Sequence, residues 1–273
     1  MSEHDVVEAT DELVTEESIV ADLRTLGVRE GAILLVHSSL KAIGWVSGGS
    51  HAVVRALLAS LGPDDTLVMP ACSSALSDPA LWENPPVPQT WWQTIRDSMP
   101  PFDTRITPTS GVGAIPELFR SWPGSLRSDH PTCSFAAVGP RAQDILAQHC
   151  LQDPFGEQSP LAALYKLDAH ILLLGVGFES CSSLHLAERL ALTTRQKLIP
   201  GGAPLLVEGK RRWVRFEEPE VCSDDFPALG DAFCQDHARF ASGNVGAASA
   251  KLVPMRPLVD FGVSWLSQFR KTD

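Results

Sequence analysis

Apolar residues along this chain fall into two alternating patterns. Short unbroken runs at 32–36 (AILLV), 66–69 (TLVM), 135–138 (FAAV) and 171–174 (ILLL) have the form of strands buried on both faces. Between them, residues 18–27, 51–61, 115–121, 140–148 and 160–165 read as helices, the clearest being 51–61 with Val53, Val54, Leu57, Leu58 and Leu61 on one face. Thr15 and Ser18 are two possible N-caps for the first. Strand 32–36, helix 51–61 and strand 66–69 make a strand–loop–helix–strand unit, which predicts parallel strands and a right-handed crossover. Residues 205–207 and 213–216, separated by the polar EGKRR, predict an antiparallel hairpin. Residues 226–240 and 257–270 predict two further helices, the last carrying Leu258, Phe261, Val263, Trp265, Leu266 and Phe269. The expected fold class is therefore α/β: a central, mostly parallel sheet flanked by helices, with a small antiparallel β element.

Residues 71–113 break the pattern. They carry Pro79, Pro85, Pro86, Pro88, Pro100, Pro101 and Pro108, and Trp82, Trp91 and Trp92 from the seven tryptophans of the chain. A Pro/Trp-rich excursion of that length is either a functional lid or a packed surface insertion. No internal repeat or linker separates it from the rest. The expected organisation is one domain over 1–273, with 71–113 as a lid-like insertion and 1–15 as a flexible acidic N-terminus.

Composition narrows the partners. The net charge is −11, from 22 basic and 33 acidic residues. That argues against nucleic acid, whose phosphates require basic surface. It suits a cationic substrate, and equally suits simple solubility. No run approaches the roughly 18–20 apolar residues of a membrane span, and the acidic start lacks a basic-plus-apolar leader. A cytoplasmic protein, with no membrane partner, is expected. Cys72, Cys133, Cys150, Cys181, Cys222 and Cys234 are scattered without a CxxC pair, so reduced thiols rather than a metal site are expected.

The stretch 171–191 concentrates the candidate chemistry. The buried run ends at Gly175 and Gly177; Ser182 and Ser183 suit a helix N-cap; Leu184, Leu186, Leu190 and Ala191 supply an apolar helical face. Ligands in open α/β sheets sit past the carboxyl ends of strands, at such turns. His185 lies in the first helical turn with Glu188 three residues on. An imidazole there is a candidate general base, and a carboxylate can orient it, though spacing alone does not establish contact. A second constellation is His37, Ser38 and Ser39 with the Gly44, Gly48 and Gly49 loop before a helix. Hydroxyls, backbone N–H groups and a helix N-terminus can hold an anion, although neither GK[ST] nor GxGxxG is present. A third is the acidic window Glu217, Glu218, Glu220, Asp224, Asp225, Asp231 and Asp236, which contains no lysine or arginine. It is either a solvated, capping face or a wall for a polyamine. His130, in the turn RSDHP, reads as structural.

Long stretches of the chain resemble the aminoglycoside N-3-acetyltransferases. They are LLVHSSLKAIGWVSGG, TLVMPACSS, the segment from SDPALWENPP to CSFAAVGP, DPFGEQSPLAALYKLDAHILLLGVGFESCSSLHLAE and NVGAASAKLVPMRPLVDFGVSWL. The resemblance implies acetyl transfer from acetyl-CoA, without a metal, to the 3-amino group of a 2-deoxystreptamine ring, a resistance activity. It implies that His37, Ser38, Ser39, Gly48 and Gly49 hold CoA, that Ser182 and Ser183 lie near the thioester, and that His185 of LHLAE is the general base. Asp78, Glu220, Asp224 and Asp225 would hold the ammonium groups of the drug. A monomer or weak homodimer is expected. The chain departs from the family pattern HDSNTSLHLAE at Phe178, Glu179, Cys181 and Ser182. That removes a second histidine and leaves open a different biosynthetic amine as substrate. A non-catalytic CoA- or polyamine-binding module is the alternative of another class.

Overall fold

The four buried runs become strands of one seven-stranded sheet. In this computed structural model, which describes residues 3–191, 197–235 and 240–270, the order across the sheet is β3 (Leu126–Arg127), β4 (Phe135–Val138), β2 (Thr66–Pro70), β1 (Ile33–Ser38), β5 (His170–Leu174), β9 (Ala248–Pro254) and β8 (Ala241–Val245). β1 runs parallel to β2 and to β5, with Leu34 opposite Leu67 and Val36 opposite Leu172. β4 and β9 then pair antiparallel on the outside, as do β3 and β8 beyond them. The expected parallel strands are thus the three central ones, and the whole sheet is mixed. Their carboxyl ends, Ser38, Pro70 and Leu174, share one edge of the sheet.

Period-two alternation explains why these runs are apolar throughout. Leu35, Val68, Ile171 and Leu173 enter one core, while Leu34, Val36, Leu67, Met69, Leu172 and Leu174 enter the other. Helices Glu16–Leu26, Gly49–Ser60 and Ala114–Arg120 cover the second face. Helices Ala142–Leu146, Pro160–Lys166, Ser183–Leu190, Phe226–Cys234 and Met255–Phe269 cover the first. Thr15 caps the helix at Glu16 through a reciprocal bond with Ser18. Part of the helix expected over 226–240, including Asp236, lies outside the described residues.

Two elements differ from expectation. β8 and β9 carry no signal of a buried run, because β8 is an edge strand whose Ser242, Gly243 and Asn244 are exposed. The hairpin is longer than its apolar cores, pairing β6 (Leu198–Val207) with β7 (Lys210–Pro219). Pro200, Gly201, Gly202 and Pro204 had interrupted its pattern.

The acidic N-terminus, expected to be flexible, lies against the body. Val6 and Val14 are buried, and Val14 pairs with Val46. The 71–113 excursion is likewise tied down. Phe102 N–H donates to Pro204 O at 2.9 Å, and Arg211 of β7 donates to Met99 O at 2.9 Å and to Arg96 O. Among the described residues, no helix is long and apolar enough to cross a membrane.

Candidate active site

Two clefts open past the carboxyl ends of β1, β2 and β5. The first, of about 490 Å³, is lined by His37 and Ser38 at the end of β1 and Ser39, Leu40 and Lys41 after it, by Pro70 at the end of β2 and Cys72 after it, by Gly111, Val112 and Gly113 of the excursion and Ala114 just beyond it, and by Val176, Ser180 and Ser182 after β5. His37 Nε2 and Ser38 Oγ are buried there without a hydrogen-bond partner among the described residues. Leu40 and Lys41 also line a neighbouring hollow of about 410 Å³ with Trp45, Gly48 and Gly49. Gly48 and Gly49 take φ of +87° and +56°, which places a left-handed turn at the N-terminus of helix Gly49–Ser60. The His37 segment and the glycine loop are therefore continuous along one groove.

The second cleft, about 1020 Å³, lies between the excursion and the hairpin. Asp78, Trp92, Arg96, Gln152, Arg189, Arg215, Phe216 and Glu217 are on its walls. Helix Ser183–Leu190 connects the two. Ser182 at its start lines the first cleft and Arg189 lines the second. His185 sits between them at helical spacing, on the same stripe.

His185 and Glu188, paired only by spacing in the sequence, are in contact. Nδ1 of His185 lies 2.9 Å from Glu188 Oε2. An ionised carboxylate only accepts, so Nδ1 carries the proton and Nε2 is left as the free base. Phe155 stacks on the imidazole with centroids 4.8 Å apart, and Phe226 flanks it tilted at the same separation. The ring plane is thus set by two aromatic walls and one hydrogen bond. Glu188 is buried to 4% exposure, and its other oxygen accepts from Cys222 N–H at 3.2 Å and from Arg270. Phe155, Phe226 and Arg270 come from distant segments, and no local motif marks them.

The other expected site residues are distributed unevenly. Ser39 lines the first cleft, while Ser183 is fully buried in the first helical turn. Of the four carboxylates expected to face a cationic substrate, only Asp78 lines the second cleft, and Arg96 holds it at 2.6 Å. Asp225 is bound by Arg270, Glu220 by Lys197 at 3.1 Å, and Asp224 is exposed; these three line neither cleft. Glu217, from the same acidic window, does line the second. Phe178 is core: it packs so closely on Gly230 of helix Phe226–Cys234 that a Cβ there would meet its ring at 2.1 Å.

Two buried histidines, His37 and His130, and the half-buried His149 are held as neutral rings. Burial, with His185 nearby, lowers His37 to about 4. Burial lowers His130 to about 4, and burial with the adjacent His130 lowers His149 to about 3. Unfolded histidine titrates near about 6.5. The unfolded chain therefore binds more protons than the fold between those values, so stability rises with pH across that window and is lost as pH falls through it. The thermal midpoint followed by circular dichroism is expected to drop more between about pH 6.5 and pH 4.5 than between pH 8.5 and pH 6.5. A flat midpoint over the acid window would contradict neutral burial of these rings.

Comparison with known proteins agrees with the geometry. The family model for aminoglycoside 3-N-acetyltransferase matches residues 35–267. The SPbeta prophage-derived aminoglycoside N(3')-acetyltransferase-like protein YokD of Bacillus subtilis (strain 168) is 46% identical over 95% of each chain. Its crystal structure superposes with a TM-score of 0.95, at 44% identity over 99% of both chains. Aminoglycoside N(3)-acetyltransferase VII of Streptomyces paromomycinus is 34% identical, over 98% of this chain and 96% of the relative. The structure of AAC-IIIb in binary complex with CoASH has a TM-score of 0.84, at 29% identity over 96% of this chain and 98% of that one.

Proposed function

The chain belongs to the aminoglycoside 3-N-acetyltransferase family, and on that premise we propose that it moves the acetyl group of acetyl-CoA onto the 3-amino group of a 2-deoxystreptamine ring, with His185 as general base. Residues 1–273 would work as one acetyltransferase unit, with the 71–113 excursion forming one wall of both clefts. The observation that carries the mechanism is the His185–Glu188 hydrogen bond at 2.9 Å, which leaves Nε2 free on a stripe between two clefts.

In this reading acetyl-CoA supplies the acetyl group as a thioester. The first cleft and the glycine loop hold it. The unpartnered His37 Nε2 and Ser38 Oγ suit the amides of its pantetheine arm. Lys41, Ser39 and the helix N-terminus after Gly48 and Gly49 suit its phosphates. Ser182 and Ser183 lie at the turn nearest the thioester. The substrate amine enters from the second cleft. His185 Nε2 removes the proton that the amine sheds as it attacks the thioester carbonyl, ionised Glu188 stabilises the imidazolium, and as the C–S bond breaks the imidazolium returns that proton to the departing CoA sulfur. Cys72, in the first cleft, is a poor acetyl carrier because burial pushes its thiol up to about 11. In this reading the acetyl group passes directly from the thioester to the amine.

A thiol-release assay with acetyl-CoA and a panel of amines tests the reading: release with 2-deoxystreptamine drugs and a product acetylated at the 3-amino group are expected. Substrate KM is expected to rise with ionic strength, since salt screens the attraction of an acidic protein for a polycation within about 8–10 Å. A KM that does not move with salt would count against that attraction.

One observation favours a second substrate. Asp78 is neutralised by Arg96 and Arg189 by Asp153, and Arg215 stands in the same cleft as Glu217. Walls whose charges are largely paired within the protein suit an amine of lower charge better than a polycation. Preferential turnover of such an amine over a gentamicin-like drug would select this reading.

A further inference from the structure

The last described residue of the chain, Arg270, reaches back into the His185 helix. It follows helix Met255–Phe269 and donates to Glu188 Oε1 through Nη1. Its Nε donates to Asp225 Oδ2 at 2.7 Å, and its Nη2 to Asp225 Oδ1 and to Cys222 O at 2.9 Å. The guanidinium lies over the Phe226 ring, which itself flanks His185. Each oxygen of Glu188 thus has a separate task. Oε2 orients the imidazole, and Oε1 is held by Arg270 and the Cys222 N–H.

We propose that Arg270 is a positioning residue for acetyl transfer: it clamps the far oxygen of Glu188, so that the near oxygen holds the His185 ring in its productive orientation. This rests on His185 being the base. A buried carboxylate shared between an imidazole and a guanidinium is fixed in position. The clamp also joins three elements around the ring, namely the His185 helix, the 222–226 segment and the end of the C-terminal helix.

Among the described residues, the charged and titratable groups around the imidazole are as follows. Glu188 comes from its own helix and His37 from β1. Asp225, Cys222 and Arg270 form the cluster behind Glu188, and Arg189, one turn on, is paired with Asp153 at 2.8 Å. Removing the cation of Arg270 leaves the Glu188 charge less compensated, which favours the imidazolium. The acid limb of the kcat/KM profile then moves to higher pH.

The test is R270Q, with R270K as the conservative variant, each checked for folding by circular dichroism. R270Q is expected to lose about 10- to 100-fold in kcat through misplacement of the base, with KM for acetyl-CoA changed less than about twofold and the acid limb raised by roughly half a unit to one unit. R270K should recover most of the loss. In an E188Q background, R270Q should cost little more, because the residue it acts through is already neutral. A wild-type kcat and pH profile in R270Q would overturn the proposal, as would full multiplication of the two losses in the double variant. If R270Q alone does not fold, the comparison of E188Q with E188Q/R270Q decides, since no ionised Glu188 is then left unpaired. An inactive H185A beside a normal R270Q would sink this proposal alone, whereas an active H185A would sink the base assignment on which it rests.

Discussion

Alanine at position 185 is expected to lower kcat about 10²–10⁴-fold while leaving the fold and the KM for acetyl-CoA close to wild type. The loss follows from the chemistry. An ammonium ion has no lone pair, and its proton must go to an acceptor placed at the reacting nitrogen. His185 Nε2 is the candidate, because Nδ1 is engaged by Glu188 at 2.9 Å while Phe155 stacks on the ring and Phe226 flanks it. Survival of the fold follows from the packing. Glu188 keeps Arg270 and the Cys222 N–H when the imidazole goes, so no buried charge is stranded. CoA binding survives because the first cleft is built from the β1 and β2 ends and the excursion, not from His185. Steady-state kinetics with acetyl-CoA and a responsive amine, and a melt by circular dichroism, check both halves. Near-wild-type turnover in a folded H185A would remove the base assignment.

What was legible in the sequence follows the physics of burial. β1, β2, β4 and β5 were readable because both faces of each are covered, which forces unbroken apolar runs. β8 was not, because a strand at the sheet edge is free to be polar. The pairing of His185 with Glu188 was visible because both lie on one helix three residues apart. Arg270 is 82 residues from Glu188, and nothing local points from one to the other. The acidic window misled for a related reason. Composition counts carboxylates but does not say which already have cations. Asp225 is taken by Arg270, Glu220 by Lys197 and Asp78 by Arg96. The departure at Phe178 suggested a changed cleft, yet the ring lies in the core against Gly230.

The largest stability effect is expected at Arg127, in the turn that also carries His130. Its guanidinium donates from Nε to Ser134 Oγ at 2.8 Å, from Nη1 to Thr107 O at 2.6 Å, and from Nη2 to Ala71 O at 2.5 Å and Ser73 Oγ at 2.8 Å. Phe102 covers it, with the cation 5.0 Å from the ring centroid. One side chain of β3 therefore fastens both ends of the 71–113 excursion to the sheet. Burial pulls its guanidinium down to about 10, which still leaves it charged at neutral pH. Met in its place keeps the bulk but removes all four of these bonds: Thr107 O loses its donor, while Ala71 O keeps the Ser134 hydroxyl and the Ser73 hydroxyl keeps Pro108 O. The expected loss is about 3–5 kcal/mol, or a melting temperature lower by roughly 6–15 °C for a chain of this size. Lysine keeps the charge without the fork and should fall between. The damage should reach the cleft as well, since Gly111, Val112 and Gly113 of the excursion line it opposite His37. A raised KM for acetyl-CoA is therefore expected in the fraction of R127M that folds. Urea unfolding with both variants measures the first effect, and a loss below about 1 kcal/mol in R127M would mean that the excursion is held by its other contacts, with the hairpin, the 132–134 segment and Glu117.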